Sequence, residues 1–482
     1  MGHSLAAPDP VPPGRVLDEQ TGCRITSEWR NGKLWQHLSE DGLAAIYPMR
    51  YQIGAGKVGH SYAVQVGEYL LESPASYFRR SGWDLSPGFR GAEYLDFNRV
   101  LTERCFFCHS SFPQSFTGRR MGSSKLAAIT CDRCHGDTTA HVSRPSAANI
   151  INPAKLPPRA RDSVCEQCHL EGVARVLNPG KAWHDFKPGD ELETTLAIYV
   201  AKQPISDIKA VSQEEQLALS RCARESSGKL WCGTCHNPHR QAKNRTAEIR
   251  AICQSCHQTL TPANHPAANA NCVQCHMPSR APTDVAHAAL TDHRIRARAD
   301  ETAELNPRAA GAQELRAWHE PPSEIQKRDL GLASLEASAN PGSQRLAKLA
   351  GELLASLPAA EQTDDPQVAA ALGDIRLTEG HSAEALPFLE AACKLVPASG
   401  EYAMYLGIAR EKTGDLAGAT QALQRAIELD PSLERAYLEL ASVDRGQGRT
   451  SEANRVLTGY LRWNPQAILM RLTQQGAADQ EK

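Results

Sequence analysis

Between residues 366 and 467, apolar and small positions recur with a period of 34. Leu372, Leu406 and Leu440 align, as do Ala385, Ala419 and Ala453, and Leu389, Leu423 and Leu457. Gly380, Gly414 and Gly448 keep the same spacing, and so do Pro397, Pro431 and Pro465. The pattern predicts three pairs of antiparallel helices, with small residues where helices cross and a proline closing each unit. Ala392 and Ala426 hold a position where the third copy has Tyr460, so that copy reads as the cap. A weaker helical pair in 330–358 reads as a degenerate earlier repeat.

The first hundred residues follow another rhythm. CRITSEWRNGKLWQHL (23–38) alternates around Asn31-Gly32, a hairpin turn pair. IYPMRYQIGAG (46–56) and HSYAVQVGEYLLES (60–73) continue in that style. A small antiparallel β unit is expected, packed on whatever follows, with WDLSPGFRG (83–91) as the loop leading out. Further on, INPAKLPPRARD (151–162) is a Pro-rich loop and SQEEQLALSRCARES (212–226) a helix.

Between residues 105 and 276 the chain spells Cys-x-x-Cys-His six times: CFFCH (105–109), CDRCH (131–135), CEQCH (165–169), CGTCH (232–236), CQSCH (253–257) and CVQCH (272–276). This is the attachment signature of c-type haem. Each thiol adds across a haem vinyl group, and the adjacent His ligates iron. Zinc would use such pairs jointly and has no need of a His after every second Cys. A thioredoxin-like pair occurs once, near a βαβ pattern. Twelve of the 15 Cys lie in the motifs, so six c-type haems are expected. The attachment residues are Cys105, Cys108, Cys131, Cys134, Cys165, Cys168, Cys232, Cys235, Cys253, Cys256, Cys272 and Cys275. The proximal iron ligands are His109, His135, His169, His236, His257 and His276. First cysteines are spaced by 26, 34, 67, 21 and 19 residues, too close for an ordinary core at each site, so the haems themselves should form the core.

The expected fold class is therefore mainly α: a haem-packed multihaem domain, a small N-terminal antiparallel β unit and a C-terminal repeat solenoid. The boundaries are 1–100 for the β unit, 101–300 for the haem domain, and 301–365 for a linker with the degenerate repeat. Three repeats at 366–467 and a tail at 468–482 follow.

Composition narrows the partners. A net charge of −2 and a pI near 6.8 argue against nucleic acid. Haem is joined to such motifs outside the cytoplasm, so a periplasmic or other extracytoplasmic site is expected. Yet MGHSLAAPDPVPPG has neither a basic n-region nor an apolar h-region. No apolar run reaches the ~18 residues of a membrane span. The start is thus either a processed one or a late one. Met1–Ser4 echoes Met121–Ser124, which points to a further motif and a signal peptide upstream, with chance similarity as the alternative.

Taken together, the chain resembles the multihaem c-type cytochromes with doubled CxxCH motifs that carry C-terminal tetratricopeptide (TPR) repeats. The resemblance covers most of 45–468 and rests on GAGKVGHSY (54–62), CDRCHGDTTAHV (131–142), CHNPH (235–239), CVQCHMP (272–278) and HAALTDHRI (287–295). It implies an extracytoplasmic electron carrier with mostly bis-His haems, and names no substrate. One departure is Val58, where the family pattern places a His.

Each iron leaves one axial face for a second ligand. Bis-His ligation gives low potentials and an axial Met raises them. Of 17 His, the seven candidates are His60, His141, His184, His239, His265, His287 and His293. His184, in AWHDF, is set aside, which leaves six for six irons. His141 and His239 follow their own motifs too closely to reach the opposite face of the same ring, so each should cap a neighbouring haem. His60 would arrive from the β unit. Met121 and Met277 are the thioether alternatives, and His319 and His381 are expected to face solvent. Cys23 and Cys222 have the option of pairing, while Cys393 falls on a repeat helix.

An electron-transfer cytochrome with redox partner proteins is the leading expectation. A haem oxidoreductase acting on a small nitrogen or sulfur compound at one five-coordinate iron is the alternative. There is no CxxCK motif. The repeats should bind a protein partner, with self-association or capping of the haem domain as their other uses.

Overall fold

The computed structural model describes residues 4–54, 56–111, 116–122, 126–202, 208–240, 244–258, 271–285, 288–296, 314–340 and 342–479. Two of the expected ligands, His265 and His287, lie outside the described residues.

Asn31 and Gly32 both take positive φ, 50° and 74°, the type I′ geometry that suits a two-residue hairpin. Asp41 and Gly42 repeat it at 48° and 78°. Strands Gly14–Leu17, Arg24–Arg30, Lys33–Glu40 and Leu43–Pro48 therefore form a simple four-stranded meander. A second, six-stranded antiparallel sheet is centred on Gly59–Val66, paired with Tyr51–Ile53, Tyr69–Glu72 and Ala75–Phe78. Between the sheets lie Cys23, Ile25, Leu34, Leu38, Tyr62, Val64, Leu71 and Phe97, all buried.

The repeats form the predicted helix pairs: Pro366–Thr378 with Ser382–Leu395, Gly400–Lys412 with Leu416–Leu429, and Glu434–Gly446 with Thr450–Trp463. Gly380, Gly414 and Gly448 sit at the turns with φ of 83°, 86° and 72°, the left-handed conformation that ends a helix. Ala385, Ala419, Ala453, Leu389, Leu423 and Leu457 are fully buried. Helices Gln326–Ser338 and Arg345–Ala355 pack as an earlier pair.

Four features differ from the sequence reading. Tyr460 does not end the array: it is buried between Tyr437 and Trp463, with ring centroids 5.1 and 5.3 Å away. Residues read as a tail instead form helix Ile468–Asp479, whose Ile468 enters the β-unit core. The stretch read as one helix over 212–226 is two, Gln213–Ala218 and Arg221–Glu225, because Ser220 breaks the chain to cap the second through Ala223 N. Strands Ala174–Leu177, Leu196–Ala201 and Leu315–Ala317 form a sheet within and beyond the haem region. Leu170, Phe186, Leu192, Ile198 and Val200 give it an ordinary apolar core, where haem was expected to fill the domain.

The repeats and the β unit are joined by buried polar contacts. Asp96, 1% exposed, accepts from Ile468 N at 2.7 Å and Leu469 N at 3.3 Å. Gln466 brackets Ile46, accepting from its N at 2.6 Å and donating to its O at 2.8 Å. Tyr47 donates to Asn464, and Asn98 donates to Glu434 at 2.9 Å. Strand Arg120–Met121, just after the first motif, joins the same contact. Arg119 lies 3.0 Å from Asp430 and 3.3 Å from Glu401, and Arg120 donates to Leu429 O at 2.9 Å.

Burial pushes the Asp96 carboxyl up to about 7, with Glu434 adding to it, against the backbone N–H groups that favour the charged form. The folded value lies above the ordinary Asp value of about 3.9. The group's contribution is then full below about pH 4 and is lost as pH rises toward about 7. The melting temperature should fall between about pH 4 and about pH 7, and Asp96→Asn should remove part of that fall. Equal pH dependence in the two proteins would refute the assignment.

Candidate haem-attachment site

Each motif lies at the end of, or within, a short helix: Glu103–His109, Asp132–His135, Pro158–His169, Cys232–Cys235, Arg245–Cys256 and Cys272–His276. A helical turn puts the two cysteines and the following His on neighbouring faces. The first of these helices is anchored by Phe106, which packs with Leu5, Ala63 and Leu70 of the β unit, and by Ser4, which donates to His109 O at 3.1 Å.

The motifs form a connected thread. The Cys168 thiol is hydrogen-bonded to Cys108, which together with Arg175 at 3.7 Å holds the Cys108 thiol low. Hydrogen bonding with Cys165 and burial both raise the Cys232 thiol. Burial, then Cys272, pushes Cys253 up to about 11. Motif one thus meets three, three meets four, and five meets six.

Five of the candidate imidazoles are tied through Nδ1. The His135 Nδ1 faces Ile151 O at 2.6 Å, His276 Nδ1 faces Arg296 O at 2.5 Å, and His293 Nδ1 faces Thr291 O at 2.8 Å. His169 Nδ1 faces Gln213 Oε1 at 3.2 Å, and His141 Nδ1 faces Asn149 Oδ1 at 3.0 Å. A proton on Nδ1 directed at an oxygen leaves the Nε2 lone pair for iron. Burial lowers His109, His236 and His293, which keeps them in the neutral form that coordinates.

Two proximal imidazoles meet candidate distal ones. His135 and His239 approach to 3.4 Å between Nε2 atoms, with rings 5.7 Å apart and 27° from parallel. His236 and His293 stack at 6.1 Å and 25°. Two nitrogens on opposite sides of one metal stand roughly 4 Å apart, twice a ~2 Å metal–imidazole bond. His135 and His239 come close to that arrangement, and His236 and His293 hold their rings at a similar separation. Helices Cys232–Cys235, Arg245–Cys256 and Cys272–His276 bury no side chain of their own. Among the described residues no apolar side chain between Ile208 and Pro282 is buried. Helices this short depend on tertiary packing, and a covalently attached porphyrin face fits that need. The residues present therefore fit haem.

Other expected ligands stand elsewhere. His60 is 6% exposed on strand Gly59–Val66, beneath Gly56, and its Nδ1 is buried with no partner. Among the described residues it meets no motif imidazole. The same loop instead sends Lys57 into a cavity of about 500 Å³ beside the fourth motif, lined also by Cys235, His236, Arg240, Arg245 and Ile249. His184 pairs with Glu103 at 2.6 Å, at the start of the first motif helix. Met121 packs at the edge of the β-unit cluster that holds Phe106.

The sequence reading missed His319. Read as solvent-facing, it lies 2.9 Å from Glu166 Oε1, inside the third motif, and Trp318 Nε1 donates to the same oxygen at 2.9 Å. No local signal marks this contact, which joins residues 153 apart. The suggested pairing of Cys23 with Cys222 is also corrected. Both are free: Cys23 is fully buried in the β unit beside Glu40, while Cys222 lies by Cys235.

Residues 226–261 match the family described as the doubled CXXCH motif. The TPR repeat-containing thioredoxin TTL4 of Arabidopsis thaliana is 29% identical over 135 residues, which cover 28% of this chain and 20% of that protein. Similar solved structures include a crystal structure of MamA, at 22% identity and TM-score 0.27, covering 29% of this chain and 81% of that one. MamA 41-end from Desulfovibrio magneticus RS-1 is similar at 18% identity and TM-score 0.26, covering 29% and 76%. Likeness this slight carries no argument. No helix among the described residues is long and apolar enough to cross a membrane. The chain carries the doubled CxxCH motif of c-type cytochromes together with C-terminal tetratricopeptide repeats.

Proposed function

We propose that this chain is an extracytoplasmic multihaem c-type cytochrome that relays electrons through six covalently held, mostly bis-His haems to and from redox partner proteins. The observation that carries the reading is the facing of His135 by His239 and of His236 by His293. When bound, haem supplies one-electron chemistry between ferric and ferrous iron. The chain's own residues hold and tune it. The twelve motif cysteines would anchor the rings by thioether bonds, two to each, and the six motif histidines would ligate the irons. His239 and His293 would supply a second imidazole at motifs two and four. The tied Nδ1 of His141 supports it as a further distal ligand, and His265 and His287 are added on sequence grounds, which makes five. Carbonyl partners at Ile151, Thr291 and Arg296 fix ring orientation.

The repeats suit protein–protein contact. Part of their surface engages this chain's own β unit and Arg119–Arg120, so a partner would use the rest.

A second reading, oxidoreductase action on a small nitrogen or sulfur compound, is favoured by one observation. His60 is buried in the β unit, which leaves one iron without an assigned imidazole.

Protein matured with a c-type assembly system should carry six haem additions by mass, retained on denaturation. Unmodified cysteines at any motif would remove that motif from the relay. Carbon monoxide uptake by the reduced, unmutated protein would favour the oxidoreductase.

A further inference from the structure

The electron path has a buried group of acids beside it that the relay does not explain. Glu166, 2% exposed, accepts from Trp318 and pairs with His319, while its Oε2 is buried with no partner. Arg159 stands 3.7 Å from Glu166 and 2.5 Å from Glu193, whose Oε2 is likewise buried and unpartnered. Asp162 is held by Arg161 at 2.8 Å. Glu214 faces this group from helix Gln213–Ala218 and accepts from the Cys232 thiol at 3.2 Å. Asp162, Glu166, Glu193 and Glu214 thus meet two arginines and one histidine. The described cations fall short of the carboxylates, which favours a proton held within the group.

Burial pushes the Glu214 carboxyl up to about 7; the Cys232 hydrogen bond and His319 oppose this, and Glu166 and Asp162 add to it. A thioether sulfur has no hydrogen to donate. Attachment at Cys232 therefore removes a contact that favours the charged carboxylate. Glu214 is only partly buried, so solvent protons reach it.

We propose that Glu214, with Glu166 and His319 behind it, is a proton-uptake site that takes one proton from solvent as one electron arrives on the group held at Cys232 and Cys235. The inference rests on reading that motif as a haem attachment. The electron comes from an external one-electron donor and converts ferric to ferrous iron. The proton leaves hydronium and forms an O–H bond on the carboxylate, so the added charges cancel. The added negative charge raises the proton affinity of a nearby carboxylate. In the pH window between the oxidised and reduced affinities, potential then falls as pH rises.

The test is a spectroelectrochemical titration of the holoprotein at a series of pH values. For one proton per electron, each tenfold fall in proton concentration lowers the potential by about 59 mV. The wild type should show one component with that slope beginning near neutrality, and Glu214→Gln should flatten it. A slope unchanged by Glu214→Gln overturns the proposal. Should that variant not accumulate as holoprotein, His319→Gln serves instead. Loss of His319, which opposes the rise at Glu214, should move the onset to higher pH, and an unmoved onset overturns the proposal. Mass analysis of the Cys232–Cys235 peptide tests the underlying reading separately: a peptide without haem ends it whatever the slope.

Discussion

Deleting residues 468–482 is expected to loosen the N-terminal β unit, some 370 residues away in sequence, as Asp96 and Ile468 are 372 apart. Helix Ile468–Asp479 supplies Ile468 to the core formed by Tyr47, Val64, Leu71 and Phe97. Removing a buried side chain of this size costs about 2–5 kcal/mol. The deletion also leaves Asp96 without the N–H groups of Ile468 and Leu469. A buried acceptor left unsatisfied costs about 1–3 kcal/mol more. Arg471 no longer reaches Ala44 O, at 2.8 Å in the intact protein. Against a total stability of about 5–15 kcal/mol for a domain, these losses are large. Limited proteolysis should cut first within residues 4–100, and melting should drop by many degrees. The first motif should be the one disturbed, because Phe106 and Ser4 tie it to the β unit. Among the described residues motifs five and six make no such tie and should keep their spectra. Replacing the exposed Leu395 by Ala is the control and should change nothing. A truncated protein with unchanged melting would show that the joint is incidental.

What the sequence revealed was what is local. A CxxCH motif is one helical turn, and Asn31-Gly32 is one hairpin. The period of 34 survives because each copy repeats the same turn glycine and the same crossing alanine. What it hid was set by distant partners. The His135–His239 pairing joins residues 104 apart, and either imidazole alone looks like any other. Strand Leu315–Ala317 pairs with Leu196–Ala201 across more than a hundred residues, and three residues carry too little pattern to be read as a strand. Helix Ile468–Asp479 has a helical composition, but nothing in it says that strand Leu43–Pro48 lies opposite. His60 shows the reverse case. Its neighbourhood resembles a ligand stretch, yet strand alternation turns the ring inward, where Gly56 covers it.

That contrast sets the expected spectra of three single variants. His239→Ala and His293→Ala should each turn one low-spin haem into a high-spin one that binds carbon monoxide when reduced. In each case the motif imidazole stays in place, fixed by its own helix, while the facing ring is lost. The two should add, since His135 and His236 serve different irons. Loss of an axial imidazole should raise that haem's potential, because bis-His ligation is what keeps it low. His60→Ala should behave differently. It removes a buried ring whose Nδ1 has no partner, so the cost is a cavity in the β unit. Melting should fall by several degrees while the ferric spectrum stays as it was. A high-spin haem in His60→Ala would return His60 to the ligand set and close the vacancy on which the oxidoreductase reading stands. Unchanged spectra in both His239→Ala and His293→Ala would refute the pairing on which the relay is built.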